Sequence, residues 1–255
     1  MRVQAPDPTA SGVHLFARYA YGPNRLGLCG PDEPATLLEA GTAHDHGDER
    51  LLRELAKGFD GAYPYLDLIA RANGIGDPLD RRVVEAYWLG SPLSGGVTAR
   101  ELGRSVDDRF RRRMPRDRWR WLAETPAAGA RPIHAFHVLD VFPKAGLLRG
   151  GPATGVLETI DSCRIRWGTV EALDGDWLEV AAPSMTLVDG KLALGHPAPT
   201  RVRAAVDGVG FLEAPALGDV VSIHWSWACD RLTPAGLAAL EQSTRHELAI
   251  ANRSI

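Results

Sequence analysis

Apolar residues recur along the first half of the chain at the three-to-four spacing that puts them on one face of a helix. Residues 13–21 carry this pattern, and Gly22-Pro23-Asn24 ends it. Asp32 is positioned to cap a short helix over 34–40, with Gly41 as its stop. Leu51, Leu52 and Leu55 mark one face of a helix over 48–57. Similar faces follow over 65–73 and over 80–89, the latter through Val83, Val84, Tyr87 and Trp88. Thr98 and Glu101 have the spacing of a capping box, which predicts a helix running toward Arg113 and stopping before Pro115. A further helix over 117–124 holds Trp119 and Trp121. Residues 133–148 are mostly apolar and compatible with helix or strand. Gly150-Gly151-Pro152 is the strongest punctuation in the chain and divides it into regions 1–150 and 151–255.

Beyond that point the period shortens. Short strands are predicted over 163–170, 177–181, 185–188, 191–194, 201–206 and 220–227. Asp174-Gly175, Asp189-Gly190, Asp207-Gly208 and Gly218-Asp219 separate them, and such pairs favour tight turns. Strands this closely spaced leave no room for parallel crossovers and point to a small barrel. Thr233 followed by Pro234 then opens a helix with Leu237, Leu240 and Leu248 on one face. The expected class is α+β: an α-helical domain, then a small β-barrel closed by a helix. On the last predicted strand Trp225 and Trp227 share one side, and His224 and Ser226 the other.

Composition adds exclusions. The net charge of −3 argues against a general nucleic-acid binder. The basic cluster over 109–120 is interleaved with Asp107, Asp108 and Asp117, and reads as a solvated helix face or a docking face for an acidic partner. No long apolar run predicts membrane insertion, and residues 1–9 lack the apolar core of a secretory signal, so a cytoplasmic location is expected. The 3 cysteines, Cys29, Cys163 and Cys229, are too few and scattered for a disulfide framework, and their default role is that of buried thiols.

Several residues have chemistry in reach. His134 and His137 share a face if their segment is helical and could hold a metal, although no third ligand stands nearby in sequence. His44 and His46 sit in a polar stretch that reads as solvated. Cys29, flanked by Gly27 and Gly30, could be approached closely. It is the candidate catalytic nucleophile of an alternative reading, a cysteine-dependent enzyme acting on a small molecule or peptide. A structural interaction module without a metal is a further alternative.

Two patches carry a family resemblance. The first is Cys163-Arg164-Ile165-Arg166-Trp167-Gly168-Thr169-Val170, followed by a Leu173-Asp174-Gly175 turn. The second is Gly218-Asp219-Val220-Val221-Ser222-Ile223-His224, leading through Asp230-Arg231-Leu232-Thr233 into a leucine-rich helix. In order, spacing and ending, residues 163–255 resemble the HypC/HupF-type chaperones of [NiFe]-hydrogenase maturation. In the first region, Phe16-Ala17-Arg18-Tyr19-Ala20-Tyr21 and Cys29-Gly30-Pro31 resemble, more weakly, an uncharacterised actinobacterial family associated with hydrogenases.

The resemblance implies an OB-like, HypC-type barrel and a non-catalytic maturation factor. Its partners would be the hydrogenase large-subunit precursor and a HypD-type protein, and its cargo the iron fragment with cyanide and carbon monoxide ligands. Carried over by position, the metal-contacting residues become Cys163 and His224. A thiolate and an imidazole suit that cargo, being a soft and a borderline donor. If one metal is to bridge them, their side chains should approach within about 10 Å. The sequence departs from the family in three respects, one being a somewhat longer stretch between the cysteine and the histidine. Cys163 is internal, so its nitrogen is an amide and not a free amine, and Trp167 stands where the family has a proline before the glycine.

Overall fold

The computed structural model describes residues 11–42, 49–144 and 153–254. The chain opens with a series of helices: α1 (Gly12–Asn24), α2 (Pro34–Thr42), α3 (Glu49–Lys57), α4 (Tyr63–Ala72), α5 (Arg81–Trp88), a single turn α6 (Pro92–Gly95), α7 (Ala99–Phe110) and α8 (Arg116–Glu124). The capping box read at Thr98 forms, and Asp80, not read as a cap, caps α5. Thr98 and Glu101 make a reciprocal capping box on α7, and the Asp80 carboxylate accepts from the Arg82 N–H at the head of α5. The ambiguous segment after 132 is helical: α9 (His134–Phe136), a π turn (His137–Val141) and α10 (Phe142–Lys144). α1 is buried along its whole length, which identifies it as the central helix, and α2, α3 and α5 pack against it.

The strand region holds β1 (Arg166–Asp174), β2 (Trp177–Val188), β3 (Lys191–Arg203), β6 (Val220–His224) and β7 (Trp227–Arg231). These five close into a ring in the order β1-β2-β3-β7-β6. The closure is a parallel contact of Arg203 with Trp227, and every other pairing in the ring is antiparallel. A small hairpin, β4 (Ala205–Val206) with β5 (Val209–Gly210), lies outside the ring. The final helix α12 (Pro234–Ala251) starts where Thr233 and Pro234 predict, with the Thr233 hydroxyl accepting from the Gly236 N–H. The fold is thus mixed helix and sheet with a C-terminal helix.

Four expectations are corrected. Residues 177–188 form one strand and not two, as do 191–203, because a register shift between Pro183 and Met185 absorbs the irregularity and pairing continues beyond it. A helix not read from sequence, α11 (Ala153–Cys163), precedes β1, so Cys163 ends a helix where a strand start was expected. Its end is fixed by Asp161, whose carboxylate accepts from the Arg164 guanidinium at 2.8 Å and from the Met185 backbone N–H at 2.9 Å. Residues 220–227 break into β6 and β7 at a tight turn over Trp225 and Ser226, both with positive φ of 49° and 58°. The two tryptophans therefore do not alternate along one strand face. Trp225 sits in the turn, and Trp227 is fully buried at the start of β7.

The tripeptide at 150–152 lies outside the described residues. The apolar packing runs across it: one cluster contains Phe16, Tyr19, Tyr65 and Trp88 together with Trp167, Trp227, Leu232 and Leu240. A separate, smaller cluster of Val170, Leu178, Val180, Val202, Val221, Ile223 and Ala228 fills the ring. β6 and β7 are consequently covered on both faces, and α1 lies against their outer one. Polar groups fasten this seam. Buried Arg18 pairs with Asp230 at 3.4 Å and donates to the Gly41 carbonyl, and the hydroxyls of Tyr19 and Ser222 are 3.0 Å apart. The Tyr21 ring meets the Trp227 ring edge-on at 4.7 Å.

A candidate metal centre at the seam

His224, the last residue of β6, points out of the ring toward α1. Its Nδ1 lies 2.7 Å from the Tyr19 carbonyl, which can only accept. The proton therefore sits on Nδ1 and the Nε2 lone pair is left available. Among the described residues that Nε2 is buried without a hydrogen-bond partner of good geometry, and it faces the Cys163 carbonyl. Close approach of α1 depends on Gly22, where a Cβ would come within 2.4 Å of the His224 carbonyl oxygen.

Cys163 is brought to the same place by the end of α11. The β6–β7 turn lies over that helix end, the Trp225 N–H donating to the Ser162 carbonyl at 2.9 Å. A positive φ at a tryptophan and a serine in succession is an uncommon conformation, held here at the rim of the site. His134, the first residue of α9, completes the group. Its Nε2 lies 2.8 Å from the Cys163 carbonyl, and its Nδ1 is 3.1 Å from the Tyr87 hydroxyl. The donor atoms of His134, Cys163 and His224 all fall within 4.8 Å of one another.

All three face a cavity of about 210 Å³ with a predominantly apolar lining that includes Trp88, Phe59 and Ala20. Burial sets their charge states. It holds the His134 imidazole well below its usual range and pushes His224 down to about 4, so both are neutral at physiological pH. Burial, reinforced by Cys29, raises the Cys163 thiol to about 12, while the Trp225 indole acts in the opposite direction. With nothing bound, the group is therefore two neutral imidazoles and a thiol. A cation binding there would have to displace the thiol proton, as metal ions do at cysteine sites.

The remaining sequence candidates are distributed around this centre. His137 lines the same cavity without joining the triad; its Nδ1 is 3.3 Å from the Tyr65 hydroxyl, and burial with nearby Arg109 lowers it to about 3. The helical spacing places both histidines at one cavity, but the partners of His134 come from later in the chain. Cys29 also lines the cavity, from the segment between α1 and α2. Burial and Asp60 raise its thiol to about 11, the reverse of the depressed thiol a nucleophile needs. Cys229 is buried in the core. Arg109 of the basic cluster stacks on the Tyr65 ring at 4.3 Å and donates to the Asp60 carbonyl, an anchoring role missed in the sequence. His44 and His46 lie outside the described residues. No helix among those residues is long and apolar enough to cross a membrane.

The fold and the seam define a mixed α/β protein with a secluded cysteine–histidine centre between a helical region and a strand ring. The chain belongs to a family of unknown function, DUF6390, which matches residues 8–255 and so spans both regions. No curated protein and no solved structure matches it.

Proposed function

We propose that this protein is an assembly factor for a [NiFe]-hydrogenase, with residues 163–255 acting as a HypC-like chaperone module. One observation carries the reading. Cys163 and His224, the two positions the resemblance singles out, are far apart in sequence, yet their donor atoms lie within 4.8 Å in one secluded cavity. The closed five-strand order and the trailing helix α12 are compatible with it.

In this reading the iron fragment with its cyanide and carbon monoxide ligands is cargo. The Cys163 thiolate supplies a soft donor and His224 Nε2 a borderline one, so the pair holds the iron while other coordination positions stay occupied by the diatomic ligands. The apolar walls keep water from competing for them. Cys163, being internal, offers its thiolate alone, without the chelating amine of an N-terminal cysteine. The partners are the large-subunit precursor and a HypD-type protein. The test is an anaerobic pull-down with the tagged full-length chain as bait, offered the purified precursor and a HypD-type protein separately. The reading expects co-elution of at least one; failure to retain either contradicts it.

A further inference from the structure

The helical region's contribution to the cavity deepens that reading. We infer that His134, Cys163 and His224 form a three-ligand site, two imidazole nitrogens and one thiolate, for a divalent transition metal ion of the iron–cobalt–zinc class, with the third ligand supplied by the helical region. The inference rests on the proposed function only for the identity of the physiological cargo; the metal site itself stands on the geometry.

Three observations support a built site. First, the donor atoms converge within 4.8 Å, and a metal about 2.0–2.3 Å from each is reachable by small side-chain adjustments. Second, His224 has the outer partner that metal-bound histidines have, and His134 has one within reach. The His224 Nδ1–H donates to the Tyr19 carbonyl, and its buried Nε2 meets only the Cys163 carbonyl, without good hydrogen-bond geometry. For His134 the arrangement is conditional. The Tyr87 hydroxyl donates to the Gly61 carbonyl at 2.8 Å, so its oxygen can accept an N–H from His134 Nδ1. Without metal, His134 Nε2–H donates to the Cys163 carbonyl. Metal binding would move that proton to Nδ1, toward Tyr87, and free Nε2 as a ligand. Third, all three residues line one cavity of about 210 Å³, so a divalent ion held by two nitrogens and one thiolate would have room for an exogenous fourth ligand.

The bland alternative is that His134 merely caps the carbonyl end of α11. It accounts for the 2.8 Å contact with the Cys163 carbonyl, but leaves the buried His224 Nε2 without a hydrogen bond of good geometry.

The probe is Co2+ titrated anaerobically into the full-length protein, followed by its ligand-field and thiolate-to-cobalt charge-transfer absorption. The site predicts one equivalent bound with a charge-transfer band. The band should be lost in Cys163→Ser and retained in Cys29→Ser. Affinity should fall about tenfold or more in His134→Ala and stay unchanged in His137→Ala. Circular dichroism of each variant establishes that it is folded. Folded wild type that binds no Co2+, or a His134→Ala variant that binds as tightly as wild type, overturns the inference. These outcomes are independent of the pull-down: cobalt binding without protein partners would sink the assembly function and leave the site, and the reverse result would do the opposite.

Discussion

The helical region and the strand ring solve the problem of burying a core in different ways. In the helical region α1 is buried along its whole length, with α2, α3 and α5 packed against it. The ring encloses only a small cluster, and the outer face of its β6–β7 hairpin is apolar and aromatic as well. α1 covers that face, and Trp227, Cys229 and Leu232 join the helical cluster, not the ring's. The ring is therefore finished by the helices, and the cysteine–histidine centre lies where the two meet. His134, the proposed third ligand, comes from the region before residue 163.

The largest effect should come from breaking the shared core. Trp227→Ala removes a fully buried ring that packs on Tyr21 and Phe211, and should destabilise the fold by about 3–5 kcal/mol. Denaturant unfolding followed by far-ultraviolet and tryptophan signals should shift together. Loss of the ring with an unshifted helical transition would mean that the two regions are independent.

Gly22→Ala probes the seam more locally. Its methyl group would collide with the His224 carbonyl oxygen, and overpacking of this kind costs roughly 1–3 kcal/mol. Because Tyr19 and His224 would be pushed apart, metal affinity should fall with stability. Denaturation midpoints and a Co2+ titration on the same variant sharpen the point, since a stability loss with unchanged affinity would uncouple α1 from the site.

Glu247, fully buried on α12, gives a pH signature away from the centre. One carboxylate oxygen accepts from the Arg131 N–H, and the other has no hydrogen-bond partner among the described residues. Burial, and to a lesser extent Asp140, raises its pKa well above 4.5. The native state then holds a proton that the unfolded state releases, so stability falls as pH rises above 4.5 toward the raised value. Below 4.5 both states are protonated and the penalty vanishes. Glu247→Gln should therefore stabilise the protein by about 1–3 kcal/mol at pH 8 and by almost nothing at pH 4. Equal midpoints at both pH values would contradict this.

Thr98→Ala, at the head of α7, should cost about 1 kcal/mol and leave cobalt binding untouched. A change in metal affinity there would show that the helical region couples to the site more broadly than through α1 and α9.

What the sequence reveals follows the range of the interactions involved. Thr98 with Glu101, and Thr233 with Pro234, act within one turn and are readable from spacing alone. Asp189-Gly190 and Asp207-Gly208 are readable for the same reason, since both residues of each pair adopt the positive φ such turns demand. Trp225-Ser226 reads as strand because neither residue favours that conformation; it is held by contact with the end of α11. Cys163 reads as strand because the apolar alternation after it is real, but the Asp161–Arg164 pair and the Met185 N–H keep the preceding residues helical. The His134 site is not legible because its partners, Tyr87, Cys163 and His224, approach it only through tertiary packing.

The most direct test of the central claim is X-ray absorption at the metal edge of the cobalt-loaded full-length protein. The account predicts a first shell of one sulfur and two imidazole nitrogens, with metal–ligand distances of roughly 2.3 and 2.0 Å and imidazole outer-shell scattering. A shell of oxygens and nitrogens without sulfur, or one sulfur with a single imidazole, would contradict a centre shared between the helical region and the ring.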